Sequence, residues 1–435
     1  MLPLKPNYCL CCSLPRYGTA SLLLREVPVR TVRKLIGNET WRHMVGLEHL
    51  TRSFLRAGAS ALLLAALSSC QTDDFKPTGA EGGASAAVTT SGDTGLYNQT
   101  LGSGSVKVAY LGVRRADQPG RQADSEYRDG AALAVNTLGS DVVKLNMLET
   151  TEKPEAIEAA ARTLARQQVS FIVTTARGAE FEAVQRGLGG LQVPMVAFQT
   201  NEAVLPENVY PFVSSPTDSL IESASFAMAE GATHAVILAS SPAEKAQADR
   251  IASQIKAFGG KVEPVVELSG GTLPAKALNS WSKADMVVLM PGIKSPGDVL
   301  KKADAAKPPR PGRRIVASAV LTAQDLNDPK LTGSIVCRYD QNVQAKIGSR
   351  YMASYGMPAS AQAGYGFDAM AMAIGLAGRF REAAFTPEQL MSPNGFSGSL
   401  GVFRLEGDRK VRRNCDIFKV AKGSYVFFQK APPTL

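Results

Sequence analysis

The stretch FIVTTARGAEFEAVQRGLGGLQVPMVAFQTN, residues 171–201, decides the fold class of the chain. Short apolar runs at 171–175 and 194–198 predict two strands, and the segment from Phe181 to Leu188 predicts a helix between them. Strands that alternate with helices are typical of parallel sheets, and the continuous apolar strands 235–239 and 286–290 elsewhere in the chain suit a sheet that is covered on both faces. The stretch therefore predicts an α/β protein.

The same alternation continues in both directions along the chain. Further predicted strands are 106–111, 142–148, 235–239, 262–268 and 286–290, and predicted helices are 125–138, 154–168, 219–230, 243–258 and 365–380. Asp124 or Ser125 is expected to cap the first of these helices. A domain of about 330 residues exceeds one comfortable hydrophobic core, so we expect two α/β lobes. The segments 396–405, 415–420 and 425–428 predict antiparallel hairpins at the end of the chain.

A segment near the beginning of the chain is typical of protein export. Two arginines precede a run of 11 small and apolar residues, 57–67, which is followed by Ser-Ser-Cys ending at Cys70. The run is shorter than the roughly 20 apolar residues of a membrane-spanning helix, and its parts are those of a secretory signal. Leu-Ser-Ser-Cys resembles the bacterial lipobox. This resemblance implies cleavage before Cys70, lipidation of its thiol and anchoring to a membrane surface.

This export signal divides the first part of the chain into three segments. If translation starts at Met44, residues 44–69 form a signal peptide of 26 residues, which is a normal length. Residues 1–43 are then an upstream extension from a misassigned start codon. Residues 70–105 are rich in Gly, Ser, Thr, Ala and Asp, which predicts a lipid anchor followed by a flexible tether.

The basic charge of the chain lies mostly in the segment that is expected to be removed. The whole chain of 435 residues has a formal net charge of +9, from 48 Lys and Arg and 39 Asp and Glu. Nine of the basic and three of the acidic residues lie in 1–70, so 39 basic and 36 acidic residues, a net charge of +3, remain. No basic stripe interleaved with aromatic residues is present, so we expect no nucleic-acid partner.

Residue types that carry catalysis are scarce after Cys70. Of three histidines, only His234 lies there, at the start of an apolar strand, which indicates a structural role. Neither a Ser-His-Asp triad nor a zinc site built from several His or Cys residues is indicated. The glycines at 187–190 precede a strand, whereas a dinucleotide-binding loop follows one. The sequence therefore predicts a protein that is not an enzyme, without catalytic residues, cofactor or metal.

Cys337 and Cys415 are the cysteines that follow the lipidation candidate. Because an exported compartment is oxidising, two remaining cysteines can pair in a disulfide. The alternative is two separate, half-buried thiols. The sequence leaves both states open.

From 106 to about 430, the chain resembles the type I periplasmic binding proteins, in particular the leucine/isoleucine/valine-binding group. The segments that carry the resemblance are RDGAALAVN (128–136), the stretch 171–201 with its final Thr-Asn pair, YGFDAM (365–370), and SGSLGVFRL (397–405) followed by Gly-Asp. The resemblance implies a two-lobed fold with parallel sheets flanked by helices and with C-terminal β-hairpins. It places lobe one at about 106–212 and 342–390, lobe two at about 213–341, and the hairpins at 391–435.

Candidate ligand contacts lie in the loops that follow the predicted strands. In open α/β sheets, ligands bind beyond the carboxyl ends of strands, where helix N-termini present free N–H groups. The candidates are Thr174, Thr175, Arg177, Gln199, Thr200 and Asn201 in lobe one, Ser240, Ser241, Gly292 and Ser295 in lobe two, and Tyr365. By the resemblance, Thr175 and Thr200 match positions that hold the carboxylate and amine of an amino acid. Arg177 either pairs with a ligand anion or is a solvated residue at a helix start.

The lobe-two half of this site departs from the amino-acid binders. Their loop after the first lobe-two strand usually carries an aromatic residue, where this chain has SSPAEK at 240–245. They also place an acid near 292–296 to neutralise the ligand's ammonium. Here Lys294 has the wrong sign, and Asp298 lies too far along the chain. A buried ammonium without a counter-charge costs several kcal/mol, so half of the usual site is missing.

Two functions remain open. The first is a lipid-anchored solute-binding protein of a branched-chain amino-acid-type ABC importer, which closes two lobes on an amino acid or another small anion and docks on a permease. The second is a non-transporting lipoprotein that resembles the activators of penicillin-binding proteins and contacts a peptidoglycan synthase. Both place the chain at the periplasmic face of a bacterial envelope, on an inner or outer membrane. The lobe-one Thr pair in a full-length domain favours the first, which we take as the primary interpretation, whereas the long tether and the incomplete lobe-two site favour the second.

Overall fold

The computed structural model describes residues 96–435 of the chain. The expected upstream extension, the signal peptide, Cys70 and most of the expected tether lie outside the described residues. Within the described part, strands and helices alternate and form parallel sheets flanked by helices, which confirms the predicted fold class. No helix between residues 96 and 435 is long and apolar enough to cross a membrane.

Strands and helices alternate from Asn98 to Val213 and build the first sheet. They are β1 (Asn98–Leu101), β2 (Val106–Arg114), α1 (Gln118–Leu138), β3 (Val143–Thr151), α2 (Pro154–Arg166), β4 (Phe171–Thr174), α3 (Glu180–Leu188), β5 (Met195–Thr200) and β6 (Val209–Val213). The sheet has the order β1-β3-β2-β4-β5-β6. All neighbouring strands are parallel except β1, which pairs antiparallel with β3.

Both faces of the first sheet are covered by helices. Successive residues of a strand point to opposite faces, so Val108 and Tyr110 of β2 pack in the core that contains α1. Leu111 and Val113 of the same strand pack in the core that contains α2 and α3. This double coverage explains why the strands are apolar throughout instead of alternating with polar residues.

Two expectations for the beginning of the domain were wrong. Asn98–Leu101 was assigned to the flexible tether, but it forms the edge strand β1 because its backbone pairs with β3. Helix α1 begins at Gln118, before the expected start at Ser125, and Asp117 caps it by accepting the N–H of Gly120 at 2.7 Å. Asp124, one of the two expected caps, instead lies buried inside the helix.

The chain then builds a second group of strands and helices from Pro216 to Arg338. They are α4 (Pro216–Ala229), β7 (His234–Ala239), α5 (Lys245–Ala257), β8 (Lys261–Val262), β9 (Val266–Glu267), α6 (Leu278–Lys283), β10 (Met286–Leu289), α7 (Pro296–Ala306), β11 (Arg314–Val316), α8 (Ala323–Leu326) and β12 (Ile335–Arg338). Residues of α4 and α5 form the core on one face of this sheet, and residues of α6 and α7 form the core on the other.

The last part of the chain adds helices, forms a separate small sheet and extends the second sheet. It contains α9 (Ser349–Tyr355), α10 (Ala361–Phe380), α11 (Pro387–Leu390), β13 (Phe396–Gly398), β14 (Gly401–Leu405), β15 (Val411–Arg413), β16 (Asp416–Ala421) and β17 (Ser424–Gln429). Strands β13, β14 and β15 form a separate antiparallel sheet that packs with α1 and α10. Strands β16 and β17 form a hairpin that extends the second sheet, whose order is β17-β16-β12-β11-β10-β7-β8, with β9 also on β7. The predicted C-terminal hairpins are therefore present.

A disulfide joins Cys337 and Cys415 next to the point where the chain crosses between the two sheets. The Sγ–Sγ distance is 2.01 Å and the Cα atoms are 5.6 Å apart. Cys337 lies in β12, and Cys415 immediately precedes β16, which pairs with β12. Of the two states that the sequence left open, the structure has the paired one.

Helices α1 and α10 cross at glycines, which lets their backbones come very close. A Cβ atom at Gly366 of α10 would lie 2.0 Å from the carbonyl oxygen of Tyr127 in α1. A Cβ atom at Gly130 of α1 would likewise lie 2.0 Å from the carbonyl oxygen of Ala363. Because neither backbone can move away without opening the core between them, only glycine fits at this crossing.

We expect Gly366→Ala to lower the free energy of unfolding by about 1–3 kcal/mol or more, because the added methyl group overpacks the crossing. Gly375→Ala in the same helix is the matched control, since no atom lies within 4 Å of its Cβ position. There the loss of backbone freedom in the unfolded chain should raise stability by about 0.5–1 kcal/mol. Urea denaturation of both variants measures the difference, and equal stability would contradict the proposed close crossing.

Candidate functional site

The carboxyl ends of β2 and β4 bring Arg115 and the Thr174–Thr175 pair together. The guanidinium of Arg115 is almost fully buried. Its Nη2 donates to the carbonyl oxygen of Thr175 at 2.7 Å and to Glu180 Oε2 at 3.0 Å, while Nη1 contacts Glu180 Oε1 and, at 3.2 Å, Glu152. Burial works against the charge of Arg115, but the hydrogen bond and charge of Glu180 outweigh it, so the pKa of Arg115 is raised.

The hydroxyl groups of Thr174 and Thr175 are already bonded within lobe one. Thr174 donates to the carbonyl oxygen of Leu111 at 2.8 Å and accepts the N–H of Ala176 at 3.0 Å. Thr175 accepts the N–H of Val113 at 2.8 Å. Both hydroxyls tie β4 to β2, so a ligand at this edge would have to compete with these backbone bonds.

Asp124 lies behind Arg115 and has few partners. Its Oδ2 accepts the backbone N–H of Arg115 at 3.2 Å. Burial raises the pKa of Asp124 to about 6, and the hydrogen bond and charge of Arg115 offset this only in part. An ionised carboxylate is therefore unfavourable at this position in the folded protein.

Asp124→Asn should stabilise the protein at neutral pH. The amide oxygen can still accept the N–H of Arg115, but the side chain cannot ionise. Because the folded-state pKa of about 6 lies above the ordinary pKa of an aspartate side chain, the wild type loses stability as the pH rises from that ordinary value to about 6. We expect the variant's advantage in unfolding free energy to be about 0.5 kcal/mol at pH 4 and about 2–3 kcal/mol at pH 7.

Urea denaturation across this pH range measures the effect of Asp124→Asn. The exposed Asp141 provides a matched control, because the same substitution there changes no buried charge. An advantage of Asp124→Asn that does not change with pH would contradict the assignment of a raised pKa.

The carboxyl end of β5 connects lobe one to lobe two through side chains. Asn201 donates to Asp218 Oδ1 at 3.0 Å and exchanges two hydrogen bonds with the backbone of Val411, at 2.8 and 2.9 Å. Arg250 of α5 bridges Glu202 and Asp218, each at 2.8 Å. Because Glu202 follows β5 whereas Arg250 and Asp218 both belong to the second group of helices, the Arg250–Glu202 ion pair crosses between the lobes.

Glu202 is the carboxylate that accepts the contact from Arg250 across the lobe boundary. Partial burial works against its charge, but hydrogen bonds from Thr200 and Ser215 and the charge of Arg250 outweigh it, so the pKa of Glu202 is lowered. The Thr200 hydroxyl is thereby engaged by a side chain of its own loop.

At the second sheet, the carboxylate of Glu244 accepts hydrogen bonds from the loops that follow β7 and β10. Its Oε2 accepts both the backbone N–H and the hydroxyl of Ser240, each at 2.7 Å. Its Oε1 accepts the N–H of Gly292 at 2.7 Å. A Cβ atom at Gly292 would lie 2.9 Å from Glu244 Oε1, so the absence of a side chain there lets the carboxylate approach.

The remaining candidates lie apart from these contacts. Gln199 is half-buried on β5, and Arg177 is exposed before α3. Ser241 precedes a short 3₁₀ turn, and Ser295 is exposed with a left-handed φ of 49° before α7. Tyr365 is buried in α10, where its hydroxyl accepts the N–H of Ser214 at 3.1 Å. The structure therefore gathers the candidates along two strand-end edges rather than in one cluster.

A crevice of about 600 Å³ lies where the two lobes meet. Residues of α4, α5 and the hairpin β14–β15 line it, together with Asn201 and Tyr339, which directly follow β5 and β12; among the others are Ile221, Arg250, Lys410 and Arg412. The Tyr339 hydroxyl has no hydrogen-bond partner among the described residues. Burial raises its pKa, so the hydroxyl stays protonated and can donate to a ligand. The volume is within the usual range for small-molecule sites.

A second cavity of about 430 Å³ lies in lobe two at the ends of β10 and β11. Gly292 and Ser295 line it together with Ala317, Leu321 and Asp325. Two of the predicted lobe-two contacts thus border this cavity, whereas Asn201 borders the crevice between the lobes.

A buried ion pair beneath the crevice was not predicted from the sequence. Arg413 Nη1 donates to Asp368 at 2.7 Å, and both side chains are 0% exposed. The guanidinium also lies 4.5 Å from the ring centre of Phe403. Removing one partner of such a pair leaves a buried charge, so we assign it a structural role in joining β15 to α10.

Sequence reasoning also missed Arg115, Glu180 and Glu244, for identifiable reasons. The strand predicted at 106–111 was too short; β2 runs to Arg114, so the strand-end rule would have selected Arg115. Glu180 lies in the first turn of α3, where an acid ordinarily indicates only a favourable helix start. Glu244 is similarly ambiguous before α5.

The structure places His234 at the start of β7 beside Glu263, with Nε2 to Oε1 at 2.7 Å. Its role is structural there. Between residues 96 and 435, no group of three or more His, Cys, Asp and Glu side chains is arranged to hold a metal ion.

Comparison with known proteins finds similarity in structure. A solved structure from Rhodospirillum rubrum, assigned to the branched-chain amino acid ABC transporters, has a TM-score of 0.58 at 14% identity over 74% of this chain and 99% of its own. A protein from Chromobacterium violaceum with the same assignment has a TM-score of 0.48, 16% identity, and coverage of 72% and 99%. A solute-binding protein of an ABC transporter from Rhodopseudomonas palustris, in complex with p-hydroxybenzoic acid, has a TM-score of 0.45 at 16% identity. The match covers 75% of this chain and 98% of that one.

No protein-family model and no curated protein matches the chain. The likeness to the Rhodospirillum rubrum protein establishes the fold, which is the two-lobed fold of the type I periplasmic binding proteins. At such low identity it establishes nothing about the ligand.

Proposed function

We propose that the chain is a solute-binding protein of the kind that serves ABC importers, anchored through lipid on Cys70 at the periplasmic face of a bacterial envelope. The observation that carries this proposal is the crevice of about 600 Å³, which residues of both lobes line. A cavity at a lobe boundary can close on a ligand when the lobes move about the segments that connect them. The resemblance noted in the sequence implies an amino acid or another small anion as the ligand and a permease as the partner.

The residues at the lobe boundary suit a binding role. Arg250 of lobe two connects the lobes through Glu202, so this ion pair depends on the distance between the lobes. The Tyr339 hydroxyl has no hydrogen-bond partner among the described residues, so it can donate a hydrogen bond to a ligand. Because His234 is engaged with Glu263 in lobe two, we propose no catalytic role for the chain.

Ligand binding should raise the thermal stability of the purified protein. A ligand at 100 times its dissociation constant adds about 2.7 kcal/mol to the free energy of unfolding. The panel for thermal shift and calorimetry contains amino acids, small carboxylates, and small uncharged and cationic molecules. Tyr339→Phe should weaken the binding of the active ligand roughly tenfold, the effect of losing one hydrogen bond of about 1.4 kcal/mol.

The matched control for this experiment is Tyr351→Phe. The Tyr351 hydroxyl also has no partner among the described residues, but it lies buried in the core of lobe one. This control should bind the ligand as the wild type does. A panel without any hit would remove the support for transport, and equal affinities of the wild type and Tyr339→Phe would remove the crevice as the binding site.

A non-transporting role, as an activator of penicillin-binding proteins, is the second candidate. One specific observation favours it. Several expected ligand contacts already form hydrogen bonds within the chain through their side chains: Thr174, Thr175, Asn201 and Ser240. Stimulation of a purified peptidoglycan synthase by the tethered protein, together with an empty ligand panel, would support this role. Absence of stimulation with a positive panel would eliminate it.

A further inference from the structure

Strand β17, at the edge of the second sheet, exposes three consecutive large apolar side chains. Val426, Phe427 and Phe428 are 46%, 56% and 45% exposed. Among the described residues, β17 pairs with a strand on one side only, so backbone N–H and C=O groups along its other side are available for pairing. No residue of β17 lines the crevice between the lobes, so the proposed solute binding does not account for this surface.

The exposed side chains lie on both faces of the sheet. Phe427 packs against Phe418 of β16, with the ring centres 5.7 Å apart. Phe428 packs on the other face against Phe226 of α4, with the ring centres 5.9 Å apart. A flat lipid surface would contact one face and leave the backbone groups of the edge unpaired. A strand placed beside β17 continues both faces and pairs with the backbone, so this geometry favours an added strand.

The other edges of the two large sheets are protected against such pairing. β1 has the polar sequence Asn-Gln-Thr-Leu, and β6 contains Pro211, which has no N–H to donate. β8 has only two residues and begins with the exposed Lys261. β17 has neither a charge nor a proline in its six residues, and its pairing with β16 is regular from Ser424 to Phe427. Its open edge is therefore suited to accept a further strand.

The charges around β17 have one sign. Between Ile417 and Leu435 the sequence contains Lys419, Lys422 and Lys430 and no acidic residue. Lys422, in the turn before β17, and Lys430, directly after it, are both exposed. A strand that pairs with β17 would meet a lysine at each end, whichever direction it runs. Acidic residues at both ends of the added strand complement this arrangement.

A second copy of the chain does not provide this complementarity. Two β17 strands that pair antiparallel about a two-fold axis at their centre place Lys422 of one copy beside Lys430 of the other, at both ends of the pair. Like charges on neighbouring strands destabilise the pairing. The charges therefore favour a different protein as the occupant of this edge.

We propose that β17 takes an extended segment of a partner protein as a further strand of the second sheet, and that this segment is apolar over the length of β17 and acidic at both ends. In this mode of recognition, hydrogen bonds between main chains supply affinity, and side chains supply specificity. Because the edge is separate from the crevice, this docking does not depend on the proposed solute binding.

Two synthetic peptides that differ only in their end charges, DDVTVYVDD and KKVTVYVKK, test the proposal. The protein is the full chain with Cys70→Ser, which removes the expected lipidation. In calorimetry we expect saturable binding of the acidic peptide and roughly tenfold weaker binding of the lysine peptide. The acidic peptide with every backbone nitrogen of its apolar part methylated should not bind, because it cannot donate hydrogen bonds to the main chain of β17.

Reversal of the charges beside β17 should reverse the preference. The combination of Lys422→Glu and Lys430→Glu changes exposed side chains only, and the resulting chain should bind the lysine peptide better than the acidic one. Lys301→Glu with Lys302→Glu, at exposed positions of α7, is the matched control. It changes the net charge by the same amount and should keep the preference of the wild type.

Phe427→Asp tests the apolar surface itself. Because this side chain is largely exposed, the variant should remain folded, and its negative charge should abolish binding of the acidic peptide. Val204→Asp is the matched control, since Val204 is 95% exposed in the segment after β5, away from this edge. Equal loss of binding in both variants would overturn the assignment of the edge.

The other possible occupants have distinct signatures. Sedimentation of the chain as a dimer that Phe427→Asp dissociates would assign the edge to a second copy. Cosedimentation with vesicles of phosphatidylethanolamine and phosphatidylglycerol, lost in the same variant, would assign it to a lipid surface. Either result in place of peptide binding overturns the proposal, as do equal affinities for the two peptides or the absence of any peptide binding.

Discussion

Coverage of two parallel sheets on both faces is the constraint on which the rest of the structure depends. Each central strand must be apolar on both sides, and each helix must lie close to its sheet. On the first sheet this requires α1 and α10 to cross at Gly130 and Gly366, where no side chain fits. With both faces filled, polar chemistry is confined to the ends of the strands and to the boundary between the lobes.

At those strand ends and at the lobe boundary, charged groups and free N–H groups of the chain are paired with carboxylates of the same chain. Arg115 is paired with Glu180, the loop N–H groups of lobe two with Glu244, and Arg250 with Glu202 and Asp218. Helix starts and free N–H groups attract anions, and here the anions are carboxylates of the same chain. A ligand would therefore find hydrogen-bond partners chiefly in the crevice between the lobes, where the Tyr339 hydroxyl remains unused.

Several features were predictable because they depend on local pattern. The strands at 171–175 and 194–198 and the helix between them agree closely with β4, β5 and α3. The start of α1 was misplaced because the buried Asp124 resembles a cap, whereas Asp117 accepts the capping hydrogen bond. Strand β1 was missed because a short polar edge strand is defined by its partner β3, which lies far along the chain.

The sequence by itself determined the α/β class, the C-terminal hairpins and the strand-end loops, since periodicity and residue type are local properties. It also presented Cys337 and Cys415 as two cysteines that could pair. Only the tertiary structure decided that they do pair, and that Thr174, Thr175 and Ser240 are engaged within the chain. The physical reason is that a residue's identity in the sequence does not show whether its hydroxyl or carboxylate faces solvent, a ligand or a neighbouring strand. Only the folded structure determines its hydrogen-bond partner.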